Sequence, residues 1–486
     1  MTTTTTTIID AVAINPTEGA ATYGLFIGGS ARAGSGASLE LTSRLDASSL
    51  GTVASAAPTD VEFAFERASS AQPAWAAQTA ADRAAIFQQA ATLFRQRSAE
   101  IAPIIAAEMG KPMSEALSEV QKGAAIFEYF AQMAYRPSGQ TFTTDTGEDV
   151  FTVAEPLGVV ALITPWNFPF TIPVRKIAAA LATGNTALYK PATNGALCGL
   201  AIAQTLSDAG LPDDVLNVII AKSSAIQEAL FQNPALAAVS LTGSYPTAAA
   251  IRRALPVEVP FQAELGGKNA LVIWRDADLD FAVQVIWQSS FRNNGQICTS
   301  CGRLLVHEDI ADQLLERLRH RVDGSANNVE GDEFGILSST TEASQVLEAI
   351  EQSNASEILR PEWGDGRVGP TVLVRPTANA AIEEEIFGPV ITFETVSTID
   401  DAIALANRPA YGLTAGIVTN ELDVAKQFWH GVHAGTVKIN ASLTGTPFHV
   451  PLRGWGQSGA GAGEGGDVSM EFFTRRKAVY LRRSPV

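Results

Sequence analysis

Four short apolar runs, each followed by a helix-length segment, constrain this chain more than any other feature. They are Gly158-Val-Val-Ala-Leu-Ile-Thr164, Asn185-Thr-Ala-Leu-Tyr189, Val215-Leu-Asn-Val-Ile-Ile220 and Ala237-Ala-Val-Ser-Leu241. Strands buried on both faces read as continuous apolar runs of this kind, which is the habit of a parallel sheet. The spacers hold helical stretches, one from Arg175 to Leu181 and one reaching Leu206. Strand alternating with helix predicts an α/β, doubly wound sheet that takes a ligand at the carboxyl ends of its strands. The sheet ends near Val257, and the same rhythm resumes from Phe261 to about Thr446 as a second α/β domain.

Tyr23 to Gly29 reads as a strand entering a turn, and Pro58 to about Met109 as alanine-rich helix, with Ile86, Ala90, Leu93 and Phe94 on one face. A further amphipathic helix runs from Lys111 to about Tyr135. Gln140 to Thr144 and Asp149 to Val153 alternate as a hairpin around Thr146-Gly147-Glu148, and the last strand, from Glu471 through Leu481, is its expected partner. At 486 residues the chain has room for two or three domains. A formal charge of −17 repels nucleic acid and anionic membranes. No apolar run approaches the ~18 residues of a spanning helix. Met1 to Thr7 is low in complexity and lacks the regions of a secretion signal. Cys198, Cys298 and Cys301 make no disulfide framework, so a reducing cytoplasm is expected. The five histidines show no metal-ligand spacing, so no metal is expected.

The chemistry gathers in three stretches. In Phe291-Arg-Asn-Asn-Gly-Gln-Ile-Cys298-Thr-Ser-Cys301 a thiol sits behind a glycine in a polar turn, presented as a nucleophile must be. Glu264-Leu-Gly-Gly-Lys268 sets a carboxylate beside paired glycines, which let backbones approach closely. Trp166-Asn-Phe-Pro169 follows the first apolar run. Together these closely resemble the aldehyde dehydrogenase superfamily, from about Tyr23 to Arg482. The resemblance implies a Rossmann-like cofactor domain (residues 8–138 and 154–260), a catalytic domain (261–448) and a small β oligomerisation element (139–153 and 467–486) that makes a homodimer or homotetramer. It implies that Cys298 adds to the aldehyde carbonyl, Glu264 activates the water that cleaves the thioester, Asn167 donates to the oxyanion, and Lys176 relays protons. Members that pass the acyl group to coenzyme A typically lack the glutamate, so a free acid is the expected product.

For the cofactor, the resemblance assigns Lys190 to the adenosine ribose, Glu385 to the nicotinamide ribose and Phe387 to the ring. Thr242-Gly243-Ser244, Thr164-Pro165-Trp166 and Leu265 line the same site. There are departures from the family pattern. Thr193 stands where many NAD-preferring members carry glutamate, Ala221-Lys222-Ser223-Ser224 replaces a glycine-rich turn, Ala248 replaces a glycine, and Arg453 replaces another in Pro451-Leu-Arg-Gly454. Losing an acid removes repulsion of a 2′-phosphate and gaining Lys222 adds attraction, so NADP is expected to be accepted alongside NAD, or even preferred to it. Arg175 and Arg292 coincide with arginines that hold the far carboxylate in succinic semialdehyde dehydrogenases, while Asn440 to Pro451 looks more like the α-ketoglutaric semialdehyde branch. Both point to a short ω-carboxy aldehyde. Phe168, Phe170, Trp287 and Phe448 are candidate pocket walls. The alternatives are a member for non-carboxylated aldehydes, acyl transfer to coenzyme A, and a catalytically silent binding protein. A reversible Cys298–Cys301 disulfide under oxidation is a further expectation.

Overall fold

The computed structural model describes residues 7–15, 21–136, 139–145, 147–325, 334–337, 339–361, 363 and 367–482. The central parallel strands of an eight-stranded sheet run in the order Phe261–Glu264, Leu236–Thr242, Val159–Ile163, Thr186–Lys190, Leu216–Val218. All four apolar runs lie here, and the helices Thr171–Ala182, Ala196–Asp208, Ser223–Phe231 and Tyr245–Ala254 cross between successive strands. Phe261–Glu264, which the sequence assigns to the second domain, adds to this first sheet. Gly459–Ala460 closes that edge from far along the chain, and Leu25–Ile27 with Ser30–Arg32 closes the other. The strand order reverses between Val159–Ile163 and Leu236–Thr242, so the loops after Ile163 and Thr242 part into a crevice.

The second sheet has seven strands in the order Glu357–Leu359, Thr371–Val374, Val390–Val396, Cys301–His307, Asn269–Ile273, Thr414–Val418, Thr436–Ile439, parallel except for the first. Side chains alternate across a strand, and Asn269–Ile273 shows the consequence. Leu271 and Ile273 join Val285 and Leu314 in one core, whereas Ala270 and Val272 join Ile417 and Phe428 in another on the opposite face.

Three elements differ from the sequence reading. Pro58 to Met109 is three helices, Pro58–Ala76, Ala80–Gln96 and Ser98–Met109. The break before Ala80 is a capping box: the Thr79 hydroxyl accepts from the Asp82 N–H at 3.2 Å and the Asp82 carboxylate accepts from the Thr79 N–H at 3.3 Å. The helix entering the first crossover begins at Thr171, a turn earlier than expected. Glu471 and Phe472 belong to the helix Gly466–Phe472, not to a strand, because the Ser469 hydroxyl accepts the Gly465 N–H at 2.7 Å and holds its first turn. The strand proper is Thr474–Leu481. It pairs antiparallel with Asp149–Pro156, which in turn pairs with Thr141–Phe142. Thr146, at the hairpin tip, lies outside the described residues. No helix among the described residues is long and apolar enough to cross a membrane.

Candidate active site

The carboxyl ends of the first sheet face the amino ends of the second, and the three chemical stretches meet in that seam. The Cys298 turn is built by Asn293 and Asn294, both buried and both at positive φ (48° and 52°), followed by Gly295 at φ 72°. Asparagine tolerates this left-handed region better than most residues. At Gly295 a Cβ would collide with the Gly388 carbonyl, so the turn needs glycine to lie against Glu385-Ile-Phe-Gly388. Asn269 ties down the segment beyond the thiol: its Nδ2 donates to the carbonyls of Cys298 and Ser300, each at 2.8 Å, and its Oδ1 accepts the Thr414 N–H at 2.9 Å.

Cys298 is partly exposed as a residue, though burial dominates the surroundings of its thiol. Burial, reinforced by the carboxylates of Glu385 and Glu264, pushes its thiol up to about 12, against the pull of Arg175. Left alone it stays protonated at neutral pH, so a base must take the proton. Glu264 is buried at the end of Phe261–Glu264 and neither carboxylate oxygen has a hydrogen-bond partner. Burial first, then the nearby Glu464, holds its carboxyl well above the usual range, with Lys176 and Arg175 opposing. A carboxyl whose proton affinity is raised beside a buried thiol marks a site where protons move.

Asn167 is buried; its Nδ2 donates to the Gln296 carbonyl at 2.9 Å, leaving a second N–H, and its Oδ1 is unpaired. Its own carbonyl accepts from Lys111 Nζ at 3.1 Å and Asn293 Nδ2 at 3.3 Å. Lys111 also pairs with Glu119 at 2.6 Å and sits 4.3 Å from the Phe168 ring centre, while Glu119 accepts the N–H groups of Phe170 and Thr171 at 3.0 Å each. The loop carrying Asn167 is thus held by a dry ion pair. Lys176 donates to the Ser240 hydroxyl at 2.9 Å and is ion-paired with Glu464, so it meets the seam through a partner that the glycine-rich tail concealed in the sequence.

The residues expected around the cofactor fall along the crevice. Thr164, Pro165 and Trp166 follow the central strand, and the Thr164 hydroxyl lies 3.2 Å from the Tyr189 hydroxyl. Lys190 ends the neighbouring strand, buried, with no ion pair among the described residues; burial pulls its ammonium down to about 8. Thr193 lies in a short turn beside it. Thr242 and Gly243 lead to Ser244, which caps the helix Tyr245–Ala254. Lys222 is the exposed residue that starts the helix Ser223–Phe231. Leu265 is buried, its N–H bound to the Ser458 carbonyl at 2.9 Å. Glu385 lies over the glycine pair, accepting the Gly267 N–H at 3.0 Å; a Cβ on Gly266 would collide with its carboxylate. Burial lifts Glu385 to about 7. Phe387 meets Trp166 edge-on, with ring centres 5.7 Å apart, across the seam. An unpaired lysine, a capped helix start at the strand reversal and a carboxylate over a glycine turn fit the two riboses and the phosphates of a dinucleotide.

Among the substrate candidates, Arg175 acts on both Cys298 and Glu264, and its Nε is buried without an acceptor. Arg292 is half exposed, its Nε 3.8 Å from Glu115. Phe168 is partly exposed over Lys111, and Phe448 packs on Tyr129 at 5.5 Å. Phe170 is a correction: it is wholly buried and packs edge-on against Phe94 at 5.0 Å, so it belongs to the first core and not to a substrate wall. Trp287 is likewise core, packed edge-on against Phe291 with ring centres 4.8 Å apart. Cys301 points into that same core and its thiol donates to the Arg303 carbonyl at 3.3 Å, which turns it away from disulfide chemistry with Cys298. Sequence reasoning missed Glu464, Asn269, the Lys111–Glu119 pair and Lys122. Glu464 in the tail and the charges at and before the helix Met113–Met133 have no local signal beyond ordinary charge, whereas Asn269 directly follows the Glu264 to Lys268 motif and was readable from it.

Residues 31–479 match the model of the Aldehyde dehydrogenase family. A 2,5-dioxopentanoate dehydrogenase of Saccharolobus solfataricus is 35% identical over 435 residues, 87% of this chain and 91% of that one. An alpha-ketoglutarate semialdehyde dehydrogenase of Haloferax volcanii is 36% identical over 436 residues, 87% and 90% of the two chains. Among solved structures, an NAD-dependent aldehyde dehydrogenase from Sinorhizobium meliloti superposes with a TM-score of 0.90 at 30% identity, covering 97% of this chain and 98% of its own. An NADP-dependent glyceraldehyde-3-phosphate dehydrogenase from Bacillus halodurans, complexed with NADP, gives 0.89 at 30% identity, with 94% and 98% covered.

Proposed function

The chain belongs to the aldehyde dehydrogenase family, oxidoreductases dependent on a nicotinamide coenzyme, and on that premise we propose that Cys298, Glu264 and Asn167 oxidise a short ω-carboxy aldehyde to the diacid. Cys298 Sγ bonds to the aldehyde carbon as its proton passes to Glu264. The free N–H of Asn167 and the Cys298 N–H donate to the oxyanion, each worth roughly 3 kcal/mol in a preorganised site. When bound, the coenzyme supplies the oxidant, accepting the hydrogen with its electron pair from that carbon. The thioester left on Cys298 is cleaved by water. Glu264 takes one proton of that water, the hydroxyl joins the acyl carbon, and the sulfur leaves. Lys176 with Glu464 carries the proton away from Glu264.

The observation that carries the substrate reading is Arg175: a guanidinium with a buried, unpaired Nε that acts on the nucleophile and the base together. A planar cation with unused donors matches a carboxylate at the far end of a short substrate. The names of the two relatives support the same class. The test is kcat/KM for succinic semialdehyde and 2,5-dioxopentanoate against butanal and benzaldehyde. If the uncharged aldehydes outpace both semialdehydes, the carboxylate reading fails.

The same proposal includes NADP as an accepted coenzyme, since Lys190 has no acidic partner and Thr193 leaves the ribose edge uncharged. NAD at least tenfold better than NADP in kcat/KM would reject it. The exposed Phe142, Tyr480 and Leu481 on the three-stranded sheet support assembly as a homodimer or homotetramer, which a single monomeric species in sedimentation would refute. Three free thiols support a cytoplasmic setting.

A further inference from the structure

The geometry points to Lys122, on the helix Met113–Met133, as a specificity residue that joins Arg175 in binding the distal carboxylate of the aldehyde. This rests on the ω-carboxy reading above and adds a residue that the sequence motifs do not contain.

Lys122 is half-buried, and its Nζ donates to one acceptor, the Thr446 carbonyl, at a long 3.4 Å. No carboxylate stands within ion-pair reach of it among the described residues. Its charged neighbours include Arg175, Arg292, which Glu115 approaches, and Lys438, together with the acid Glu119. That acid is already committed, to Lys111 and to the N–H groups of Phe170 and Thr171. In a chain of formal charge −17, such a gathering of cations without a free acid is an anion site by electrostatics alone.

Its place relative to the chemistry is set by Arg175, the neighbour shared by Cys298 and Glu264 on one side and by Lys122 on the other. Helix Met113–Met133 and helix Thr171–Ala182 pack so closely here that a Cβ on Gly123 would collide with the Phe170 ring and meet Val174 at 3.3 Å. Lys122, the residue before Gly123, is therefore carried on a helix packed tightly against the start of the helix that bears Arg175. Lys438 Nζ donates to the Gly445 carbonyl at 3.3 Å, so the two lysines hold successive carbonyls of the loop that leads to Phe448. Lys438 tethers that loop from outside. Lys122 keeps two N–H groups that can donate to the carboxylate. Burial and the repulsion of Arg175 pull its ammonium down to about 8, and an entering carboxylate relieves that repulsion. A site built around an unpaired cation discriminates strongly against ligands that cannot pair with it.

The test compares Lys122→Met, which keeps the apolar stem, with Lys122→Arg and Lys122→Gln. For Lys122→Met and Lys122→Gln we expect KM for succinic semialdehyde to rise about tenfold or more, while KM for butanal and both kcat values stay within about twofold, the selective loss expected when a carboxylate forfeits its cation. Lys122→Arg should retain most of the semialdehyde affinity. Equal KM increases for both aldehydes would mean that Lys122 only staples the loop, and unchanged values would mean that it does not reach the substrate; either overturns the inference. A wild-type enzyme that handles butanal as well as succinic semialdehyde removes the ω-carboxy reading and this inference together. A wild type that prefers the semialdehyde, with a Lys122→Met variant that keeps the preference, removes only the inference.

Discussion

Lys111→Met takes the cation from a pair whose side chains are only 1% and 2% exposed. It leaves Glu119 charged in a dry site with the Phe170 and Thr171 N–H groups as its remaining donors among the described residues. Each of those bonds to a charged oxygen contributes about 1.5–3 kcal/mol, which offsets only part of the desolvation of a buried carboxylate. Removing one partner of a buried pair costs about 3–5 kcal/mol, far more than an exposed pair is worth. The loss of the 3.1 Å bond to the Asn167 carbonyl and of the contact with the Phe168 ring falls inside that range. Adding Glu119→Gln to Lys111→Met removes the orphaned charge but keeps an oxygen for the two N–H groups, so the double variant should recover at least about 2 kcal/mol of the single variant's loss. The assay is urea unfolding of wild type, single and double variants at one protein concentration, since assembly shifts the midpoint. Because the Lys111 bond anchors the loop of the proposed oxyanion donor, kcat should fall in the single variant while coenzyme affinity holds. A single variant within about 1 kcal/mol of wild type, or a double variant less stable than the single, would refute the argument.

Two further outcomes concern the carboxyls. Glu264→Gln removes the group that takes both the Cys298 proton and a proton of the hydrolytic water, so the first turnover of reduced coenzyme and the steady turnover should both slow about a hundredfold or more; either one near the wild-type rate would show that another group does that work. Glu385 binds its proton more tightly folded (about 7) than unfolded (4.5), so it costs stability as pH rises across that interval, and the full cost is present above pH 7. Glu385→Gln keeps the acceptor for Gly267, so the coenzyme-free variant should melt with wild type at pH 4.5 and above it at pH 8; a gap that does not widen between those values contradicts the burial argument.

The strands of the first sheet were legible because a strand covered on both faces has no polar alternation to blur it, and the turns because glycine and proline punctuate them. The thiol, carboxylate and amide could be named from their motifs. What a local pattern could not carry was anything set by distant partners. Thr79 and Asp82 did hold a readable stop in the alanine-rich stretch, a capping box that the helical periodicity on either side overrode. Phe170 comes after a motif that lines a crevice, yet the crossover helix begins at Thr171 and turns the ring into the core. Glu464 reaches Lys176 across most of the chain, and Lys122 is one charge among several on an amphipathic helix. Neither sits at a spacing that marks it out in the sequence.

The Gly459–Ala460 strand has a consequence for how the protein is made. Synthesis runs from the amino end, so Cys298 leaves the ribosome long before the segment that edges Phe261–Glu264 and supplies Glu464 to Lys176. A nascent or prematurely terminated chain thus carries the thiol but neither the closed sheet margin beneath Glu264 nor the counter-ion of Lys176. Both are completed only when residues 459–464 have threaded back onto the domain that was translated first.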